Sequence, residues 1–549
     1  MPADVPSPTP SSPGVPIDLR SLPWTGRLVR DYSHAFERLS SFYAGSPTAQ
    51  GVWADAIERR RQGRPLTASA EVLTAQLAAR GAPAPAQAAA RRLAEPGAVA
   101  VVTGQQAGLF GGPLYTLLKA LTGIRLAERL AREHDATVVP IFWVDAEDHD
   151  LDEIRHCPFL DADLDPRAVG LELDSPRGTA AAAVRLTRNV RDATASLREL
   201  LPSTEFTAEV IAGLDAAYEE GTRLVEAFAR WLDHLAGHAG LVVFDASDPA
   251  AKPLVQSLFA DELRASGETA RQAAAAGAAL AAAGYHAQVE PQPDGVALFR
   301  LDETRQPIRV APGGFTVGER TVGADDLLRE VAAQPGRFSP NVLLRPIVQD
   351  ALFPTVAYVS GPNELAYLGQ LRDVYARFDV PMPIIFPRAS ATIVDRATVK
   401  FLERYDLDFA GLQARDDAVL NRLLAAQIPA ELETALAAAD AAMDERLAAV
   451  STAVPLLDPT LAGVVQSTRR RMQRDLATLR NKVVQAAKRR DETLRRQFRR
   501  ARAQAFPNGE PQERSVGTVY FLNRYGPAFV DRLLADLPLD PGHHWLLTV

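Results

Sequence analysis

The chain has 549 residues, 47% hydrophobic and 23% charged, ordinary for a soluble globular protein and too long for one core, so two to four domains are expected. Its single cysteine, Cys157, excludes an internal disulfide framework and a multi-cysteine zinc site and suits a reducing, cytoplasmic setting. The net charge of −8 conceals a local +11 over residues 469–502, leaving −19 for the rest. No apolar run reaches the roughly 18 residues that span a bilayer, so no membrane partner is expected.

Residues 1–16 hold six prolines, with neither a basic n-region nor an apolar h-region. They read as a disordered tail, not a secretory signal. Residues 17–95 read as helices packing on a core, with an apolar pattern through Leu28, Tyr32, Phe36, Leu39 and Phe42. The first part of an α/β core is expected over 96–165. A buried strand begins at Ala98–Val102, a glycine-rich turn follows, and a helix runs from about Pro113 to His134. The next strand, Val138–Val144, is apolar throughout, as strands covered on both faces tend to be.

Residues 166–340 read as inserted connecting segments around one core strand near 240–248. Alternation over 160–200 predicts β structure, and one long helix is expected from about 205 to 236. An Ala-rich helix over 268–284 precedes a hairpin of His286–Glu290 and Gly295–Leu301. Residues 341–395 repeat the strand–turn–helix–strand logic as a second part of the core. Residues 396–505 read as a helical coiled-coil hairpin with a proline break at Pro455–Pro459, and 506–549 as an aromatic segment packing back on the body.

Three clusters can carry chemistry. The first is the turn Thr103-Gly-Gln105-Gln106-Ala-Gly108-Leu-Phe-Gly111-Gly112, whose glycines and following helix start favour an anion. Its spacing is neither a dinucleotide fingerprint nor a P-loop, and no lysine is placed to reach a phosphate. The second, Asp145 to Glu153, packs six acids around His149 directly after a buried strand. Glu147, Asp148 and His149 are the candidate acid, base or amine-orienting groups, against the plainer reading of a solvated, helix-capping loop. A divalent metal is neither required nor excluded there. The third joins Asn363 and Glu364 to Arg388 and Ser390, with Arg345 and Gln349 as weaker candidates. An arginine at a strand's carboxyl end suits a carboxylate or phosphate, and Asn363 can simply cap its helix. The basic runs in 469–502 read mainly as a solvated helix face, so nucleic acid is an unlikely partner.

Four phrases, TGQQAGLFGGPLYTLLK, FWVDAEDHDLDEI, QDALFPTVAYVSGPNELAY and VPMPIIFPRASATIVD, occur in this order. With them the chain resembles the cysteine-adding enzymes of bacillithiol biosynthesis, the BshC family, over nearly its whole length. Family members typically read Ala-Gly where this chain has Asp145-Ala146, and often phenylalanine where it has Leu151. The resemblance implies a Rossmann-like core related to nucleotidylyltransferases, interrupted by connecting segments, and a coiled-coil arm that dimerises. It implies a ligase that joins L-cysteine to glucosamine-malate through an amide, with ATP the suspected activating cofactor. In that reading Gly108, Gly111 and Gly112 bind an anionic group, Gln105 and Gln106 orient a substrate, Asp148 or His149 accepts the amine proton, and Arg388 with Asn363 holds malate's carboxylates. The alternative is a class I synthetase-like nucleotidyl-transferring enzyme acting on another substrate or on tRNA. No H-x-G-H or K-M-S-K-S signature is evident.

Overall fold

The structure is a computed structural model that describes residues 14–62, 66–173, 175–176, 178–302, 304–414, 416–426, 430–490 and 492–548. The chain forms two compact units, residues up to 393 together with 511 onward, and residues 394–510.

The first unit is built on a five-stranded parallel sheet. In space its strands run Ile384–Pro387, Thr355–Ser360, Val99–Gln105, Val138–Val144 and Val242–Asp245. Numbered by sequence and read from the other edge this is 3-2-1-4-5, five of the six strands of the Rossmann order. The strand order therefore reverses between Val99–Gln105 and Thr355–Ser360, and the crevice outside their carboxyl ends is the expected ligand position. Strand Val138–Val144 is buried along its whole length because both faces are covered. Phe142 and Val144 pack with Leu117, Phe228 and Trp231, while Ile141 and Trp143 pack with Phe244 and Phe353 on the opposite face. This period-two split explains the unbroken apolar run.

The inserted residues depart from the expected pattern. Among the described residues of 160–200 are the hairpin His156–Leu160 with Pro166–Gly170, a 3-10 turn at Ala181–Ala183 and the helix Asn189–Leu200. The expected long helix is two, Thr207–Ala217 and Leu224–Ala236, with Gly221 between them at φ 87°. Residues 286–290 are not a strand. Gly295–Leu301 pairs instead with Arg305–Ala311 inside an antiparallel meander that continues to Gly314–Val317 and Arg320–Gly323 and takes Phe338–Pro340 on its other edge. The expected tail also needs correction: Val15–Asp18 is a strand pairing antiparallel with the C-terminal strand His543–Thr548, and residues 1–13 lie outside the described residues. The apolar series from Leu28 to Phe42 does not form one helix. Arg27–His34 ends at Ala35, and a 3-10 turn, Phe36–Leu39, follows.

The second unit contains the helical hairpin Ala430–Ala453 and Ala462–Arg490, then Glu492–Ala505. Its basic face is partly answered by acids within the unit. Arg469 Nε lies 3.0 Å from Asp444 Oδ1, Arg480 Nη2 2.8 Å from Glu433 Oε2, and Arg500 Nη2 2.6 Å from Asp395 Oδ2. No helix among the described residues is long and apolar enough to cross a membrane.

Candidate active site

A cleft of about 1040 Å³ opens at the topological switch point of the parallel sheet. Gly104, Gln105 and Gln106 reach it from the first core strand, Trp143 and Asp145 from the second, and Tyr358 and Gly361 from the fourth. The antiparallel meander contributes Arg305, and the C-terminal segment contributes Arg514. The cleft thus gathers residues distant in sequence onto one sheet edge.

Lys119 crosses the switch point. It sits in the helix Leu114–His134, which follows the glycine turn. Its Nζ donates to Gly104 O at 2.7 Å and Gln105 Oε1 at 2.9 Å, and lies 2.5 Å from Glu364 Oε2. The sequence reading found no lysine for this site. Lys119 lines the cleft from within the following helix, but its ammonium is occupied by these partners, which are visible only in the fold. Glu364 also accepts from Tyr358 Oη at 2.7 Å and from the Gly361 N–H at 2.5 Å. Burial pushes the Glu364 carboxyl up, but the Lys119 ammonium and these donors outweigh it and hold the group below the usual carboxylate range.

Gly361, not Asn363, stands at the cap of the helix Pro362–Leu368, and Glu364 reaches back to close it. That leaves the exposed Asn363 facing the cleft with no side-chain hydrogen bond to the described residues. Arg345 lines the same wall, donating to Tyr367 Oη at 3.0 Å and to Gln349 Oε1 at 3.2 Å.

The acidic cluster divides. Asp148 faces the cleft, accepting from Gln106 Nε2 at 2.5 Å through Oδ2 and from the His149 N–H at 2.7 Å through Oδ1. His149, its side chain half exposed, places Nδ1 3.4 Å from Arg305 Nη1. Glu147 turns away from the cleft and forms a buried ion pair with Lys252, Nζ to Oε1 2.5 Å. This pairing resolves how so acidic a run can follow a buried strand. Among the described residues, no three His, Cys, Asp or Glu side chains converge as a metal site.

The glycine turn spends its glycine N–H groups within the protein. Gly108, Gly111 and Gly112 are buried behind the cleft and their N–H groups are taken: Gly108 by Gln106 O at 2.9 Å, Gly111 by Tyr218 Oη at 3.1 Å, Gly112 by Leu109 O at 3.0 Å. At Gly111 the requirement for glycine is steric. Gly111 has φ 92°, and a Cβ there would stand 2.9 Å from the Trp231 ring.

Arg388 lies on the cleft wall, but its fork is occupied. Nη1 and Nη2 donate to Glu513 Oε2 and Oε1 at 2.9 and 2.6 Å. Burial raises the Glu513 carboxyl, and Arg388 more than offsets this, leaving it lowered. Ser390 does not line the cleft; its Oγ bonds Glu513 and His544 Nδ1 at 2.8 Å. One residue after Glu513, the exposed Arg514 lines the cleft and forms no side-chain hydrogen bond or ion pair with the described residues. Nothing local in the sequence distinguishes these neighbours, Glu513 turned inward and Arg514 outward.

The N-terminal Rossmann-like domain model of bacillithiol biosynthesis BshC matches residues 17–389, and the C-terminal coiled-coil domain model of the same family matches 391–549. The chain is 34% identical over 530 residues to a Salinibacter ruber protein named “Putative cysteine ligase BshC”, covering 95% of this chain and 96% of that one. Proteins of the same name from Koribacter versatilis, 32% identical with 96% and 98% covered, and Symbiobacterium thermophilum, 34% identical with 82% and 84% covered, are similar to it as well. With a Rossmann-like sheet, a helical hairpin and both family models spanning it, the chain belongs to the bacillithiol biosynthesis BshC family.

Proposed function

We propose that the protein is a ligase that joins the carboxyl group of L-cysteine to the amine of glucosamine-malate, completing bacillithiol. The family match across both halves of the chain carries this reading. The switch-point cleft supports it, being large enough for two small polar substrates and lined by both charges.

In this reading malate's carboxylates meet Arg514 and Asn363, which face the cleft, rather than Arg388, whose fork Glu513 fills. Gln105 and Gln106 orient the sugar from the end of the first core strand. The attacking amine must be neutral, and Asp148, held in place by Gln106 with His149 beside it, takes its proton. Glu364 and Lys119 brace the crevice between the two strand ends. Amide formation from a free carboxylate is uphill in water, so a nucleoside triphosphate, ATP in the simplest case, supplies activation. The Gly108–Gly112 turn does not fit its phosphates, because the N–H groups of Gly108, Gly111 and Gly112 are already bonded within the protein. The protein works in the cytoplasm as a homodimer through its helical hairpin.

Deleting the gene tests this reading in the cell. Bacillithiol disappears and glucosamine-malate accumulates if the reading holds. Unchanged bacillithiol contradicts it.

A further inference from the structure

At the carboxyl end of the strand Val138–Val144 the cleft holds a carboxylate without a protein partner. Asp145 is partly buried and lines the cleft, and its side chain forms no hydrogen bond or ion pair with the described residues. Its neighbours are held: Asp148 by Gln106, Glu147 by Lys252, Glu364 by Lys119. A carboxylate left unpaired at the edge of the interior is costly, and a cation from a ligand removes that cost.

Two buried donors with no hydrogen-bond partner among the described residues belong to side chains that line the same cleft. Trp143, two residues earlier on the same face of the strand, is 3% exposed and lines the cleft, and its Nε1 has no hydrogen-bond partner. Arg305, on the meander, has its Nη2 fixed by Ser339 Oγ at 3.1 Å and Pro340 O at 2.9 Å, while its buried Nε is likewise without a partner. An indole N–H and a guanidinium can only donate, so both call for a ligand acceptor. Val296, Leu298 and Ile308 supply an apolar wall beside them.

One acceptor for a cation beside two donors for an anion matches a zwitterion. We propose that Asp145, Trp143 and Arg305 form the subsite for a free α-amino acid, Asp145 taking its ammonium and the two donors its carboxylate. Resting on the ligase reading above, the occupant is L-cysteine, its thiomethylene against Val296 and Leu298. The glucosamine amine has no carboxylate on the adjacent carbon and leaves the two donors unused. Burial pushes the Asp145 carboxyl up and Asp148 adds to this, against the pull of Arg345 and Arg305; a bound ammonium stabilises its charged form.

Calorimetric titration of the full chain with L-cysteine, L-serine, glycine and 3-mercaptopropionate, which lacks the ammonium, tests this. The wild type binds L-cysteine in preference to 3-mercaptopropionate. Asp145→Asn, with circular dichroism and thermal midpoint retained, weakens L-cysteine about tenfold to hundredfold, the size of a lost charge-assisted hydrogen bond. It erases the preference and leaves glucosamine-malate affinity unchanged, and Asp145→Glu restores part of the loss. Equal L-cysteine affinity in Asp145→Asn overturns the subsite and leaves the ligase reading standing. Weakened glucosamine-malate with unchanged L-cysteine overturns it too, as does failure of the wild type to bind any amino acid in the panel. Binding of L-serine or glycine but not L-cysteine, lost in Asp145→Asn, upholds the subsite and refutes the ligase reading.

Discussion

Lys119 Nζ and Glu364 Oε2 lie 2.5 Å apart across the switch point, joining the helix that follows the first core strand to the helix that follows the fourth. The two strand ends that form the cleft are separated by about 250 residues that include two further core strands, and this buried pair ties them together. Removing one partner strands the other charge in the interior. Lys119→Met therefore costs about 3–5 kcal/mol of stability. Adding Glu364→Gln to it recovers part of that loss, and urea unfolding of the two single variants and the double variant measures the coupling. Strict additivity would show that the pair does not couple the two halves.

Gly111 is hemmed in by the Trp231 ring, so Gly111→Ala lowers stability and is expected to leave ligand affinity unchanged. The new Cβ meets the Trp231 ring at 2.9 Å in a left-handed backbone conformation, and a loss of about 1–3 kcal/mol is expected. Thermal unfolding reads the loss. A variant of full stability with weakened nucleotide affinity would return the turn to the role of phosphate cradle.

His544 makes stability fall on the acid side. Burial pushes its imidazole down from 6.5 to about 4, with Glu513 opposing and Arg388 reinforcing, and both ring nitrogens are bonded, to Ser390 Oγ at 2.8 Å and Thr392 Oγ1 at 2.9 Å. The unfolded chain binds the proton first, so this contribution is complete above pH 6.5 and is lost as pH falls toward 4, by about 3 kcal/mol in all. Replacing His544 by Gln flattens the urea midpoint between pH 6.5 and 4 relative to the native protein. An imidazole titrating near 6.5 by NMR contradicts this.

Cys157 is inert. It is fully buried, and burial pushes its thiol up to about 12. Ellman's reagent detects no thiol in the native protein and one in guanidinium. Cys157→Ala leaves product formation intact, because joining a carboxyl group to an amine needs no protein thiol. Rapid native labelling would place Cys157 near the surface.

Much of the core was legible because a strand covered on both faces tends to be apolar, as Val138–Val144 is throughout and Thr355–Ser360 is at Val356, Ala357 and Val359. Gln106, Asp148 and Asn363 were found for the related reason that polar residues directly after such strands stand at the sheet's carboxyl edge. The pairings were not legible. Nothing local tells Arg388 that Glu513 will fill its fork, or Glu147 that Lys252 lies beneath it. Lys119 escaped notice because its contacts depend on a helix crossing the first strand's end. In the insert, alternation over 160–200 mimicked strands, although Asn189–Leu200 buries Val190, Ala193, Thr194 and Leu197 at helical spacing.

The most direct measurement is reconstitution: purified protein with L-cysteine, glucosamine-malate and each nucleoside triphosphate in turn, products read by mass spectrometry. The account predicts one thiol, the two substrates joined with loss of water, formed as one nucleotide is consumed. With Asp148→Asn its rate falls about 10²-fold or more. No such product with any nucleotide, under conditions where a family relative forms it, would contradict the account.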